Sequence, residues 1–179
     1  MDTINGMNED EMKEKVKSLA KDNFRKGMNC AESVFKALLD AKIVDFPPET
    51  VSMTTGFGGG IGLAGGVCGA LAAAVMGVGA IHGRPKLPVE NMDESVSQLY
   101  GNPGRYRFFN QMPYKFAELF GSTQCEVLNK DYSDWYNKDR FRKCMNIVVD
   151  TAGLAVEFIY QGNREGYSQP FGKNMAGKV

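Results

Sequence analysis

Residues 56–83 read GFGGGIGLAGGVCGALAAAVMGVGAIHG, with eleven glycines and no Asp, Glu, Lys or Arg. Glycine loses more backbone freedom on ordering than any other residue, and in a helix or strand interior it costs about 0.5–1 kcal/mol relative to alanine. The first half of the run therefore predicts a loop. Cys68–Ile81, richer in alanine, predicts a helix whose small side chains permit close approach by its neighbours. A membrane span, a nucleotide-binding loop and a cradle for a reactive thiol can all be built from such a stretch.

The membrane reading draws on the absence of charge from Val51 to Gly83, which is long enough to cross a bilayer. Large aliphatic residues are few, however, and Gly58-Gly59-Gly60 would fray a lipid-exposed helix. The convincingly apolar, helical part, Cys68–Ile81, is too short, so no membrane partner is expected. The nucleotide reading draws on Gly60-Ile61-Gly62-Leu63-Ala64-Gly65, which fits G-x-G-x-x-G. That fingerprint needs a strand immediately before it and an acidic residue for the ribose. Here PPETVSMTTGFG precedes it, and the next acidic residue is Glu90. The third reading makes the loop a cradle. Amide N–H groups at a helix start point at whatever sits there, which favours a thiolate or an anionic cofactor. Cys68 sits there, with Gly58, Gly59, Gly60, Gly65, Gly66 and Gly69 as the candidate cofactor-cradling positions. Tight helix packing is the plain alternative.

The rest of the chain is patterned for helices. Met12, Val16, Leu19, Ala20 and Phe24 recur at helical spacing from Glu9, and Gly27 stops them. Asn29-Cys30-Ala31-Glu32 forms a capping-box pattern ahead of the stripe Ala31, Val34, Phe35, Leu38 and Leu39. Pro47-Pro48 opens a short helix. Arg84–Pro88 breaks the alanine-rich helix, and Glu94–Tyr100 is weakly helical. Tyr106–Phe120 is helical with a kink or break expected at Pro113. Thr123-Gln124-Cys125-Glu126 repeats the capping box. From about Asp139, Cys144, Ile147, Val148, Thr151, Ala155 and Phe158 share a face. Neither an alternating strand nor an internal repeat is present. The expected fold is all-α, one compact domain of five to seven helices in which a glycine-rich loop leads into an alanine-rich central helix. Its expected bounds are a flexible N-terminal arm (1–8), a helical four-cysteine domain (9–161) and a glycine-rich tail (162–179).

Charge narrows the partners. Lys plus Arg and Asp plus Glu number 21 each, so no basic excess points to nucleic acid. The polar, acidic start MDTINGMNEDEMKEK has no apolar signal segment, and a cytoplasmic location is expected. In a reducing compartment, four cysteines serve as metal ligands, redox groups or core filler more often than as structural disulfides. Three of them, Cys30, Cys68 and Cys125, fall at predicted helix starts, where the helix dipole lowers a thiol pKa. Cys144 lies about one turn into the last helix, with Arg140, Arg142 and Lys143 just upstream. No C-x-x-C is present, so any convergence of the four is tertiary. Such a pocket suits an iron–sulfur cluster, zinc or exchangeable disulfides. His82, the single histidine, is expected to act as a cation at a helix C-terminus.

Cys30 with Ala31-Glu32, GFGGGIG leading into Cys68-Gly69-Ala70, then Cys125 and Cys144, together resemble the redox-active family named for its pattern, C_GCAxxG_C_C. The likeness runs from about Asn29 to Tyr160. It departs from the label at Val67-Cys68-Gly69-Ala70 and at Ala73. The resemblance implies that Cys30, Cys68, Cys125 and Cys144 form the catalytic redox set or the metal-ligand set. The expected function is therefore electron transfer through a cysteine-bound iron–sulfur cluster, an oxidoreductase role if the protein is an enzyme. The alternatives are a metal-free thiol–disulfide oxidoreductase or redox sensor led by Cys68 or Cys30, a nucleotide-binding protein, and a helical interaction protein. A redox partner protein is implied but not specified, and a homodimer fits the apolar helix faces.

Overall fold

The computed structural model describes residues 3–87 and 90–177. Met1 and Asp2 of the expected arm, Pro88 of the expected break together with Val89, and Lys178 and Val179 of the tail lie outside the described residues.

The fold is all-α, and its centre is a group of four long or apolar helices. α1 (Glu9–Arg25) opens on a capping box, Asn8 with Glu11, and buries Met12, Val16, Ala20 and Phe24. α2 (Cys30–Asp40) opens on the predicted box, the Asn29 side chain accepting from the amides of Ala31 and Glu32 while Glu32 accepts from the Asn29 amide. Each such cap contributes about 1 kcal/mol by satisfying amides that the helix leaves free. A 3-10 segment (Pro48–Phe57) and a glycine turn, α3 (Gly58–Ile61), lead to α4 (Gly69–His82). α5 (Met92–Tyr100), α6 (Arg105–Phe109), α7 (Gln111–Phe120) and α8 (Cys125–Leu128) are shorter. α9 (Lys138–Glu165) packs along α1, α2 and α4. Val34, Phe35, Leu38, Ala73, Ala74, Val78, Val148, Ala155, Ile159 and Tyr160 make a continuous core where these helices meet.

Small residues set the spacing of that core. A Cβ built on Gly77 of α4 would lie almost on Leu38 of α2. The expected break at Pro113 falls earlier, at Asn110, and Pro113 sits in the first turn of α7, where its missing N–H costs nothing.

Both ends of the chain, as far as they are described, bond to the helices. In the arm, Ile4 and Met7 bond each other's backbone, and the Tyr160 hydroxyl accepts from the Ile4 amide and donates to the Met7 carbonyl. At the other end α9 runs on to Glu165. The tail beyond it is tied back by Arg107 and Gln111 donating to the carbonyls of Gln169 and Pro170. The described residues contain no strand, only the isolated bridges Ile4–Met7 and Val67–Gln124. Among the described residues no helix is long and apolar enough to cross a membrane.

Candidate functional site

Much of the glycine loop folds back on itself through its own backbone. Gly59, Gly60, Ile61, Gly62 and Leu63 all have positive φ, between 58° and 71°. Such a left-handed run is sterically cheap for glycine but costs roughly 1–2 kcal/mol each at Ile61 and Leu63. Its amides bond inside the turn: Gly62 to the Gly56 carbonyl, Leu63 to Gly58, Gly65 to Gly59 and Gly66 to Gly60. Of the expected cradle positions Gly58, Gly59, Gly60, Gly65, Gly66 and Gly69, the amides of Gly58, Gly65 and Gly66 are bonded to carbonyls of Thr55, Gly59 and Gly60. Of these six only Gly59 lines the cavity described below.

What the loop offers outward is carbonyl oxygen. Gly65 and Gly66 accept from the amides of Glu126 and Cys125 at 3.0 and 2.7 Å, and the Cys68 amide donates to the Thr123 carbonyl at 2.8 Å. These rungs flank the Val67–Gln124 bridge and pin Cys68 beside Cys125. They also replace the second expected capping box. The N-cap of α8 is Gln124 without a side-chain bond, and Cys125 is the first helical residue.

Close packing completes the convergence. A Cβ on Gly69 would fall 2.7 Å from the Cys30 sulfur, so Cys30 lies directly against the start of α4. A Cβ on Gly60 would fall 2.8 Å from the Cys125 Cβ. Asn29, which caps the helix of Cys30, donates to the Thr55 carbonyl at 3.0 Å, and Thr55 donates to Glu32 at 2.7 Å. α2 is thereby tied to the 3-10 segment that leads into the glycine loop. All four cysteines line one cavity of about 210 Å³, together with Phe24, Leu128, Trp135, Ile147 and Val148. All four are free thiols.

Burial raises three of these thiols, Cys68, Cys125 and Cys144. It pushes Cys68 up to about 12, with the Cys30 thiol and, less, Cys125 adding to it, although amides of Ala70 and Leu71 bond the Cys68 sulfur. The expected lowering by a helix start is present in those two amides and is overcome by desolvation. Cys68 is accordingly not a low-pKa nucleophile. Burial, then Cys30 and Cys144, push Cys125 to about 11, against Asn129 and Arg140. Cys144 is raised by burial and Cys30, and lowered by Arg140, Asn129 and Lys143. Cys30 acts electrostatically on each of the other three, which makes it the hub of the set.

Three further residues complete the site. Asn129 donates to the Cys125 sulfur at 3.5 Å and accepts from the Cys144 thiol at 3.4 Å, linking the two. Its position four residues after Cys125, one helical turn, was the available signal. Arg140 is buried, 9% exposed. Its guanidinium stacks 3.8 Å from the Trp135 ring centre, donates from Nε to the Trp135 carbonyl, and places Nη1 3.6 Å from the Cys144 sulfur. Among the described residues it has no carboxylate partner. The i, i+4 spacing to Cys144 signals this contact. Trp135, from the polar loop before α9, carries no sequence signal beyond being the sole tryptophan.

His82 is not a helix-end cation. It is buried, bonded to the Ile159 carbonyl at 2.9 Å and the Tyr167 hydroxyl at 3.0 Å, with its pKa lowered by burial. The strand that a dinucleotide fingerprint needs is absent among the described residues before Gly60, where the 3-10 segment lies.

Four sulfur donors in an apolar cavity beside a buried cation fit the ligand chemistry of an iron–sulfur cluster. Among the described residues no three Cys, His, Asp or Glu side chains are gathered as one metal ion requires.

A family model described as "Putative redox-active protein (C_GCAxxG_C_C)" matches residues 28–158. A protein of Archaeoglobus fulgidus, described as "Uncharacterized protein", is 34% identical over 141 residues, which is 75% of this chain and 87% of that protein. No solved structure is a significant match.

Proposed function

The chain belongs to the C_GCAxxG_C_C redox-active family, and on that premise we propose that it carries an iron–sulfur cluster on Cys30, Cys68, Cys125 and Cys144 and transfers electrons. The observation that carries the reading is the meeting of four thiols, from four separate segments, around one apolar cavity. Buried thiols that oppose one another's ionisation are poor free nucleophiles. They become thiolates when a positive centre compensates them, as a metal does.

A cluster, when bound, supplies one-electron redox capacity. The chain's own residues supply its setting. Cys30, Cys68, Cys125 and Cys144 would be the ligands. Arg140 offsets part of the negative charge that four thiolates bring, and Asn129 orients the sulfurs of Cys125 and Cys144. Phe24, Leu128, Ile147 and Val148 keep water away from the sulfurs. In the metal-free reading, thiol–disulfide exchange begun by Cys68 or Cys30, Cys68 is the weaker attacking thiol. An attacking thiol works best with a pKa near ambient pH, and burial holds Cys68 far above that.

Anaerobically purified protein is expected to be brown and to contain iron and acid-labile sulfide in similar amounts. Each single Cys→Ser variant should lose most of both. Protein that remains colourless after reconstitution with iron and sulfide, with thiols that react independently, overturns the reading.

A further inference from the structure

Beside the cysteine cavity lies a second, more open groove of about 380 Å³, lined by Arg25, Lys138, Arg140 and Arg142 with the rings of Tyr136 and Phe141. Arg140 and Phe141 line both spaces. The groove therefore adjoins the wall that carries Cys144, which Arg140 touches.

Three observations mark this face. Four cations and no carboxylate line it, although the chain as a whole is neutral. Arg142 reaches the exposed Asp139 at 2.9 Å, while Arg25 and Lys138 have no carboxylate partner among the described residues. An exposed pair such as Arg142–Asp139 holds its charges only weakly. Next, Lys138, Arg140 and Arg142 all lie in the first turns of α9, where the helix dipole disfavours positive charge. Arg140 is accounted for by Trp135 and Cys144, whereas the dipole gives no reason for Lys138 and Arg142. Finally, Tyr136 is 88% exposed and Phe141 40%. Aromatic rings and arginines are the side chains that most often anchor protein interfaces.

The geometry points to this groove as the docking face for an acidic electron-carrier protein, whose surface carboxylates meet Arg25, Lys138 and Arg142 while its own redox centre comes beside the Cys144 wall. The inference rests on the redox reading of the cysteine site. In the step it serves, one electron leaves the reduced carrier and is taken up at the cysteine site, and no atom is transferred. Opposite charge around such a face speeds encounter and fixes orientation, and salt screens it.

A plant-type [2Fe–2S] ferredoxin, which is acidic, serves as the probe, with a basic c-type cytochrome and a single-stranded oligonucleotide as comparisons. Binding to the full chain is measured by titration calorimetry at about 20 mM and about 300 mM salt. Ferredoxin binding is expected to weaken by at least about tenfold at the higher salt and by a similar factor in Lys138→Glu/Arg142→Glu. Lys138→Glu places an acid in the first turn of α9, which offsets the loss of the exposed Arg142–Asp139 pair, so the variant's melting temperature should change little. Lys115→Glu, on α7, should bind as wild type. Ferredoxin binding that ignores both salt and charge reversal overturns the inference. So does tighter binding of the cytochrome or the oligonucleotide at this face. If charge reversal abolishes ferredoxin binding to a chain that holds no iron, the docking face stands and the cluster reading falls. If the chain holds a cluster and binds ferredoxin indifferently to charge, the reverse is true.

Discussion

Gly69→Ala tests the closest approach in the site. The added Cβ would lie 2.6 Å from the Phe57 carbonyl oxygen and 2.7 Å from the Cys30 sulfur. Ordinary contact requires both neighbours to retreat by roughly 0.7 Å. One of them is backbone, at the junction of the 3-10 segment and the glycine loop, so it has no rotamer by which to move. Overpacking of this kind costs about 1–3 kcal/mol. Alanine returns at most about 1 kcal/mol of helix propensity at this first position of α4. With that full return subtracted, the net loss is about 0–2 kcal/mol, or up to roughly 8 °C in melting temperature for a chain of this size. Gly79→Ala is the matched control. It lies in the same helix, and its Cβ would meet nothing within 4 Å, so a gain of about 0.5–1 kcal/mol is expected. Melting by circular dichroism and the maleimide reactivity of Cys30 are measured for both variants. Gly69→Ala should melt lower and change the Cys30 rate, and Gly79→Ala should melt higher with that rate unchanged. If Gly69→Ala melts as high as Gly79→Ala, with wild-type Cys30 reactivity and iron content, Cys30 does not abut α4 and the reasoning fails.

His82 should make the fold acid-sensitive. Its folded pKa lies below the ordinary value because burial, helped by Arg105, disfavours the charged ring. The unfolded chain therefore takes up the proton more readily, and stability present above about pH 6.5 declines as pH falls below it. A melting temperature that is flat from pH 7.5 to 5, or that falls equally in His82→Asn, would contradict this. Arg140→Gln should move the alkylation profile of Cys144 to higher pH, read by mass spectrometry, whereas Arg140→Lys should move it less; an unmoved profile removes Arg140 from the site. Trp135, the sole tryptophan and part of the cavity wall, should lose most of its emission when iron and sulfide are loaded. Undiminished emission would place the cluster elsewhere.

The local features of this chain were legible, and the long-range ones were not. Asn29 and Glu32 announce the start of α2 within four residues, and the stripes on α1, α2 and α9 give an all-helical core. Thr123 to Glu126 presents the same local pattern, yet the amides of Cys125 and Glu126 bond the glycine loop. A partner so distant in sequence leaves no mark nearby. Cys68 misleads for a related reason. Its place at a helix start is visible in the sequence, but the desolvation that outweighs it belongs to the assembled core. His82 is similar, since its partners Ile159 and Tyr167 arrive from α9 and the tail.

α8 spans only Cys125–Leu128, and a single turn cannot sustain itself in water. It exists because the carbonyls of Gly65 and Gly66 hold its leading amides. The arm bearing Cys68 and the arm bearing Cys125 thus mature together or not at all. A nascent chain halted before residue 125 would carry Cys30 and Cys68 but leave the Gly65 and Gly66 carbonyls without the amides that anchor them.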